Sequence, residues 1–155
     1  MKFSTKEDIE APIDQVFQMV ADFEGLERSA LRRGAEVRRV DKMTEKAPGL
    51  EWKAKFHFRG KDRDVDIKLV EYNPDTDLCA QGTTDGLDCI VKVELVALSR
   101  KRTRMSLDVD LEAKTLAARL LLQSLKLARN TINKKFKDRI AGYAKDIEDR
   151  FQRKV

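Results

Sequence analysis

Trp52–Lys53–Ala54–Lys55–Phe56–His57–Phe58, followed after a short break by Val65–Asp66–Ile67–Lys68–Leu69, alternates apolar and polar residues. Successive side chains of a β-strand point to opposite faces, so this alternation predicts two strands that each have one apolar face. Gly60–Lys61 is predicted to form the two-residue turn between them, since glycine supplies the positive φ that such turns require. That turn would pair Phe56 with Val65, Ala54 with Ile67 and Trp52 with Leu69.

Three further strands continue this pattern. Asn73–Pro74–Asp75–Thr76 is a turn signal, Asp85–Gly86 is typical of a two-residue hairpin turn, and Ser99–Arg100–Lys101 reads as a three-residue loop. The second turn would pair Gly82 with Cys89, Ala80 with Val91 and Leu78 with Val93. The third would pair Ala97 with Thr103, Leu95 with Met105, Val93 with Leu107 and Val91 with Val109. The sequence therefore predicts a continuous five-stranded antiparallel meander.

Shorter elements precede the meander. Lys2 to Glu10 alternates as a strand, with Phe3, Thr5, Glu7 and Ile9 on one face. Pro12 is suited to the first helical turn and is predicted to open a helix with Val16, Phe17 and Val20 inward, ended by Gly25. A second short helix is expected over Leu26 to Arg33, ended by Gly34, and a strand over Ala35 to Asp41.

A single long helix is predicted from Thr115 to about Gln152. Its apolar residues recur every three or four positions and form one stripe: Leu125, Ala128, Ile132, Phe136, Ile140, Tyr143, Ile147 and Phe151. Such a helix would be about 55 Å long, which exceeds a small sheet, so its ends overhang or it bends near Gly142. The predicted fold is α+β, a curved antiparallel sheet wrapped around this helix.

The totals indicate one folded domain over residues 1–155, because 41% hydrophobic residues suffice to offset chain entropy. The chain turns polar directly after Phe3, so neither a signal peptide nor a membrane span is predicted, and a cytoplasmic location is expected. Cys79 and Cys89 are expected to be free thiols that face out and in, respectively.

Positive charge concentrates in the last part of the chain. Residues 114–155 contain twelve Lys/Arg and four Asp/Glu, a net charge of +8, whereas residues 1–113 carry −3. Nucleic-acid binding is not favoured, since these basic residues are scattered around the helix and only 6% of residues are aromatic. Leu116, Leu120 and Leu127 lie opposite the apolar stripe and could contact a second copy of the chain or a membrane surface, unless loops cover them.

The segment Ile9–Glu10–Ala11–Pro12–Ile13–Asp14–Gln15–Val16–Phe17 through Asp22, with the order of elements, resembles the START-like superfamily, also called SRPBCC. That superfamily includes polyketide cyclases and aromatases, the birch-pollen allergens, and lipid and coenzyme Q carriers. The resemblance implies a helix-grip fold with an internal cavity between the sheet and the C-terminal helix. It does not imply a particular ligand, because a fold does not determine function.

Candidate ligand-binding residues follow from the inward faces: Trp52, Phe56, Arg63, Ile67, Leu69, Val91, Val93, Met105, Leu107, Leu121 and Leu125. The alternative is that these side chains pack into a solid core. Glu7, Arg63, Glu71 and Thr103 are the polar residues expected to face inward, near strand ends where a charge can also reach water, and an inward arginine could bind a carboxylate or phosphate.

No catalytic, metal or cofactor motif is present in the sequence. His57 is the single histidine, and it is expected to point outward between Phe56 and Phe58. Asp62, Asp64 and Asp66 read as a solvated strand face rather than a cation site. The favoured interpretation is a non-enzymatic binding or carrier protein for a hydrophobic small molecule such as a lipid, quinone or polyketide-like compound. The alternatives are a cyclase or aromatase that uses Glu7, Arg63 or Glu71, and an interaction module that uses the C-terminal helix.

Overall fold

The computed structural model describes residues 1–154 of the chain. Seven strands and four helices follow one another in the order β1 (Lys2–Ile9), α1 (Ile13–Val20), α2 (Phe23–Arg32), β2 (Glu36–Arg39), β3 (Glu51–Phe58), β4 (Lys61–Asn73), β5 (Asp77–Thr84), β6 (Leu87–Ser99), β7 (Arg102–Ala113), α3 (Leu116–Leu127) and α4 (Arg129–Lys154).

The strands form one antiparallel sheet in the order β1-β7-β6-β5-β4-β3-β2. Strands β3 to β7 are the predicted meander. The last strand, β7, also pairs with the whole length of β1. The predicted α+β helix-grip fold is confirmed, with the apolar face of the sheet turned towards α1 and α4.

The register predicted for the first hairpin is wrong by two residues. Phe56 pairs with Arg63, Ala54 with Val65 and Trp52 with Ile67, because the turn is Arg59–Gly60 rather than Gly60–Lys61. Both turn residues have positive φ (52° and 74°), as a type I′ turn requires. A slip of two residues leaves every side chain on its predicted face, since the side-chain period of a strand is two.

The pairs predicted for the later hairpins are confirmed, including Leu78 with Val93 and Val93 with Leu107. The last turn differs slightly: Ser99 pairs with Arg102 after an irregularity between Ala97 and Ser99, so the loop has two residues instead of three.

A bulge in β4 overturns another prediction. Leu69 pairs with Ala80 and Glu71 with Cys79, so Val70 is an extra residue between them. The bulge reverses the alternation, and Glu71, predicted to face inward, lies exposed on the outer face near Lys92. Tyr72 takes the inner face instead and packs against Phe17, with ring centroids 5.4 Å apart.

Gly25 does not end the first helix, which stops at Val20. Asp22 begins α2, and its carboxylate accepts a hydrogen bond from the Gly25 amide at 3.2 Å. A β-carbon at Gly25 would collide with this carboxylate. The glycine therefore belongs to the first turn of α2, where it lets the cap approach closely.

The C-terminal segment is two helices rather than one. Ala128 leaves helical geometry (φ −104°, ψ 18°) and separates α3 from α4, and the chain then stays helical through Gly142, near which a bend was one of two alternatives. Thr115 caps the first turn of α3 by accepting from the Ala118 amide at 3.1 Å. None of the helices within residues 1–154 is both long and apolar enough to cross a bilayer, and the cytoplasmic location stays a prediction.

Helix α4 is held mainly by the first strand. The Phe3 and Phe136 rings lie 6.0 Å apart, and the Arg129 guanidinium donates to the Lys2 carbonyl at 2.9 Å. Ala144 and Ile147 are buried in the main core together with α1 and the inner face of the sheet. Burial of this apolar surface positions α4 across the sheet.

Thr103 connects β7 to the corner between β1 and α1. It is fully buried, and its hydroxyl donates to the Ala11 carbonyl at 2.8 Å. We expect Thr103→Val to lower the free energy of unfolding by about 1–3 kcal/mol, because the Ala11 carbonyl would lose its partner without a change in side-chain shape. Urea unfolding followed by Trp52 fluorescence measures this loss. Thr83→Val, on the exposed outer face, is the control, and an equal loss there would contradict the assignment.

Tyr143 makes stability depend on alkaline pH. Burial raises the pKa of its phenol from 10.0 to about 12, so the unfolded chain releases this proton first as the pH rises. The contribution of this phenol to the free energy of unfolding is fully present below pH 10. It declines by about 2–3 kcal/mol as the pH rises towards 12. In Tyr143→Phe this part of the decline should be absent. Urea unfolding at about pH 8 and about pH 11.5 tests the difference, and parallel declines in both proteins would refute it.

Candidate functional site: an inner face packed at one end and open at the other

The candidate ligand-binding residues divide into two groups. Trp52, Leu69, Val93 and Met105 belong to the packed core next to α1 and α4. Trp52 is committed to packing, because its indole N–H donates to the Glu27 carboxylate at 2.7 Å and its ring meets Phe23 edge-on. These four side chains therefore belong to a solid core, which was the alternative to a ligand cavity.

The other candidates lie towards the hairpin turns. Phe56, Arg63, Val91 and Leu121 are half-buried and lie outside the packed core, Leu125 of α3 is buried, and Ile67 and Leu107 lie at the boundary between the two regions. We call the inner-face region lined by Phe56, Val65, Val91, Val109 and Leu121 the open end, since all five side chains are half-buried.

Helix α3 lies over the open end. The Lys114 amide donates to the Gly86 carbonyl at 2.7 Å, which places the start of α3 at the β5–β6 turn. The Arg59 guanidinium donates to the Ser124 hydroxyl at 2.5 Å, which places the middle of α3 at the β3–β4 turn. Ala118, Leu122 and Leu125 are the buried residues of α3.

Arg63 stands at the rim of this region. It shares the inner face with Phe56, and its side chain is only 13% exposed. Its guanidinium donates to the Phe58 carbonyl at 3.2 Å and to the Asp85 carboxylate at 3.3 Å, and it lies 5.8 Å from the Phe58 ring centroid. These contacts hold a cation at the edge of an apolar surface.

The four polar residues predicted to face inward do not converge on one site. Glu71 is on the outer face, and Glu7 pairs with Met105 at the packed end. Through the register, Glu7 lies level with Leu95 of β6, whereas Arg63 lies two residues beyond the level of Leu87, a separation of roughly 30 Å along the strand direction. The Thr103 hydroxyl already donates its hydrogen bond to the Ala11 carbonyl. A reaction in which these groups share one substrate is therefore not supported by the geometry.

The remaining reactive side chains are placed as predicted. His57 points outward and lies 3.0 Å from the Asp62 carboxylate on the solvent-exposed face. Cys79 and Cys89 are free and lie on opposite faces, and burial raises the pKa of both thiols. Within the described residues 1–154, no group of three or more His, Cys, Asp or Glu side chains is placed to hold a metal ion.

Two surface clefts were not predicted from the sequence. One, of about 670 Å³, lies between the α1–α2 corner and the last turns of α4 and is lined by residues such as Met19, Lys46 and Arg150. The other, of about 460 Å³, follows the outer strands and shares only Trp52 and Ile67 with the predicted set. Neither cleft carries a sequence signal, because each is lined by residues from elements that are distant in the chain.

The sequence matches a known protein family, and the fold matches solved structures. A profile of the family described as polyketide cyclase / dehydrase and lipid transport matches residues 1–148. No curated protein matches the sequence significantly.

Three solved structures illustrate the shared fold. The Zhui aromatase/cyclase from Streptomyces sp. R1128 has a TM-score of 0.65 and 14% identity, covering 94% of this chain and 93% of that chain. Ara h 8.0201 has a TM-score of 0.61 and 19% identity, covering 94% and 98%. A START superfamily protein from Mycobacterium smegmatis has a TM-score of 0.58 and 12% identity, covering 86% and 95%. At these identities the likeness shows the fold alone.

Proposed function

We propose that this chain, which belongs to the polyketide cyclase / dehydrase and lipid transport family as its sequence resemblance predicted, binds a hydrophobic small molecule at the open end. The ligand would be a lipid, quinone or polyketide-like compound held between the sheet and α3. The observation that carries this proposal is the contrast in burial between the two ends of one continuous apolar face.

At the packed end, inward side chains are almost completely covered: Leu69 is 1% exposed and Met105 is 2% exposed. Phe56, Val91 and Leu121 have the same inward orientation yet retain accessible surface. Protein interiors normally pack to crystal-like density, so apolar surface left accessible beneath a covering helix supports space for an apolar guest.

The chemistry of the open end favours a particular kind of ligand. Its lining is aromatic and aliphatic, and Arg63 is a cation at its rim. Because Asp85 and the Phe58 carbonyl already orient this guanidinium, it can receive an anionic group without reorganisation. A ligand with an apolar body and a carboxylate, sulfonate or phosphate at one end fits best. The description of the matched family, polyketide cyclase / dehydrase and lipid transport, agrees with a ligand that has an apolar body.

Filling the open end should abolish binding. In Val91→Trp a large ring would occupy the space, so we expect at least a tenfold loss of affinity for the neutral fluorescent probe N-phenyl-1-naphthylamine. The matched control is Ile90→Trp, one residue away on the exposed outer face of β6, which should bind normally. Fluorescence titration measures both affinities, and thermal unfolding verifies that both variants are folded. Equal binding by the two folded variants would contradict the proposed location.

Arg63 should discriminate between charged and neutral ligands. The probe 8-anilino-1-naphthalenesulfonate differs from N-phenyl-1-naphthylamine by one sulfonate. We expect Arg63→Gln to weaken binding of the sulfonate probe by about tenfold, since a charge-assisted hydrogen bond is lost, and to leave the neutral probe unchanged. Lys61→Gln, at the start of β4 and also close to Asp85, is the control for a general change of charge. A parallel loss for both probes would assign Arg63 a structural role instead.

A further inference from the structure

The outer side of α3 carries a row of leucines that the rest of the described chain leaves uncovered. Leu116, Leu120 and Leu127 are 72%, 58% and 92% exposed. At 100° per residue they fall within a narrow sector opposite the buried Ala118, Leu122 and Leu125. Loops therefore do not cover these leucines, contrary to one of the sequence-based alternatives. Exposed apolar rows of this kind are typical of binding surfaces.

Cations flank the leucine row. Arg119 and Lys126 project from α3 beside it, and Arg59 approaches its other side through the bond to Ser124. Residues 114–137 contain seven Lys/Arg and no Asp/Glu. Among the described residues, Lys114 forms ion pairs with Asp88 and Glu112, whereas neither Arg119 nor Lys126 has a carboxylate within 4.0 Å. The surface is thus apolar at its centre and positive at its margins.

We propose that the outer side of α3 binds the surface of an anionic lipid bilayer. An interfacial helix lies flat with leucines in the acyl boundary and lysine or arginine among the headgroups, which matches the arrangement of α3. A second copy of the chain fits this surface less well, since a symmetric contact would place Arg119 and Lys126 against the same cations of the partner.

Docking in this orientation would bring the bilayer close to the proposed ligand site. Helix α3 covers the open end, and the break at Ala128 separates it from α4. A bilayer bound to the outer side of α3 would therefore lie next to the element that closes the binding space. The docking surface does not depend on an occupied ligand site, so it can be tested even if the proposed function fails.

Co-sedimentation with vesicles tests the proposal directly. The full chain is mixed with vesicles of phosphatidylcholine, or of phosphatidylcholine containing about 30 mol% phosphatidylglycerol, at about 0.1 M and about 0.5 M salt. We expect binding to the anionic vesicles at low salt, at least tenfold weaker binding at high salt, and little binding to the neutral vesicles.

Two pairs of variants locate the surface. Leu120→Ser with Leu127→Ser should weaken binding by at least tenfold, whereas Val96→Ser with Leu98→Ser, exposed near the β6–β7 turn, should not. Arg119→Gln with Lys126→Gln should weaken binding about 25-fold, whereas Arg100→Gln with Lys101→Gln should have little effect. These substitutions lie on exposed positions, and circular dichroism verifies that each variant is folded.

Three results would overturn the proposal. One is the absence of binding to anionic vesicles at low salt. Another is an equal loss of binding in the test and control variants. The last is a concentration-dependent dimer in sedimentation velocity that Leu120→Ser abolishes, without vesicle binding, which would assign the leucine row to a second copy of the chain. Probe binding in solution is measured separately, so its failure affects only the proposed ligand site.

Discussion

Pairing of the first strand with the last holds the molecule together. Strand β1 runs antiparallel to β7 from Lys2 to Ile9, and this brings Phe3 beneath Phe136 of α4. The same pairing places the Ala11 carbonyl against the Thr103 hydroxyl, which sets the direction in which α1 leaves the sheet. Without this closure α4 would lose its most extensive contact with the sheet, and α1 would lose the hydrogen bond that fixes where it leaves β1. The core thus depends on contacts between residues more than ninety positions apart in the chain.

The resulting interior is uneven, and this unevenness is the basis of the proposed function. Helices α1, α2 and α4 fill one end, where Trp52 is bound by Glu27 and Phe23. The other end is covered by α3 alone, and side chains such as Val91 keep part of their accessible surface. A single apolar face can therefore stabilise the fold with one half and remain available to a ligand with the other. The same types of apolar side chain serve the core and the proposed site. A ligand site of this kind therefore needs few side chains of other types beyond a cation at its rim.

Helix α3 belongs to both the interior and the surface. Its inner residues Leu122 and Leu125 cover the open end, while its outer leucines face away from the protein. The helix is tied at its start by Thr115 and at its middle by Arg59, and it is separated from α4 at Ala128. An element attached at a few points can move more readily than one buried along its length. The helix that covers the proposed ligand site therefore also carries the proposed membrane surface.

The sequence alone determined the order of elements and the face of nearly every strand residue, because alternation is a local property with a period of two. Even the two-residue slip at Arg59–Gly60 left Phe56 and Ile67 on their predicted side. Where an extra residue entered at Val70, the alternation reversed and Glu71 moved to the outer face, since a bulge is settled by pairing with the neighbouring strand. Only the tertiary structure decided the break at Ala128 and which inward residues are covered. Burial depends on how helices that are distant in the chain pack against the sheet. The local alternation of apolar and polar residues contains no information about that packing.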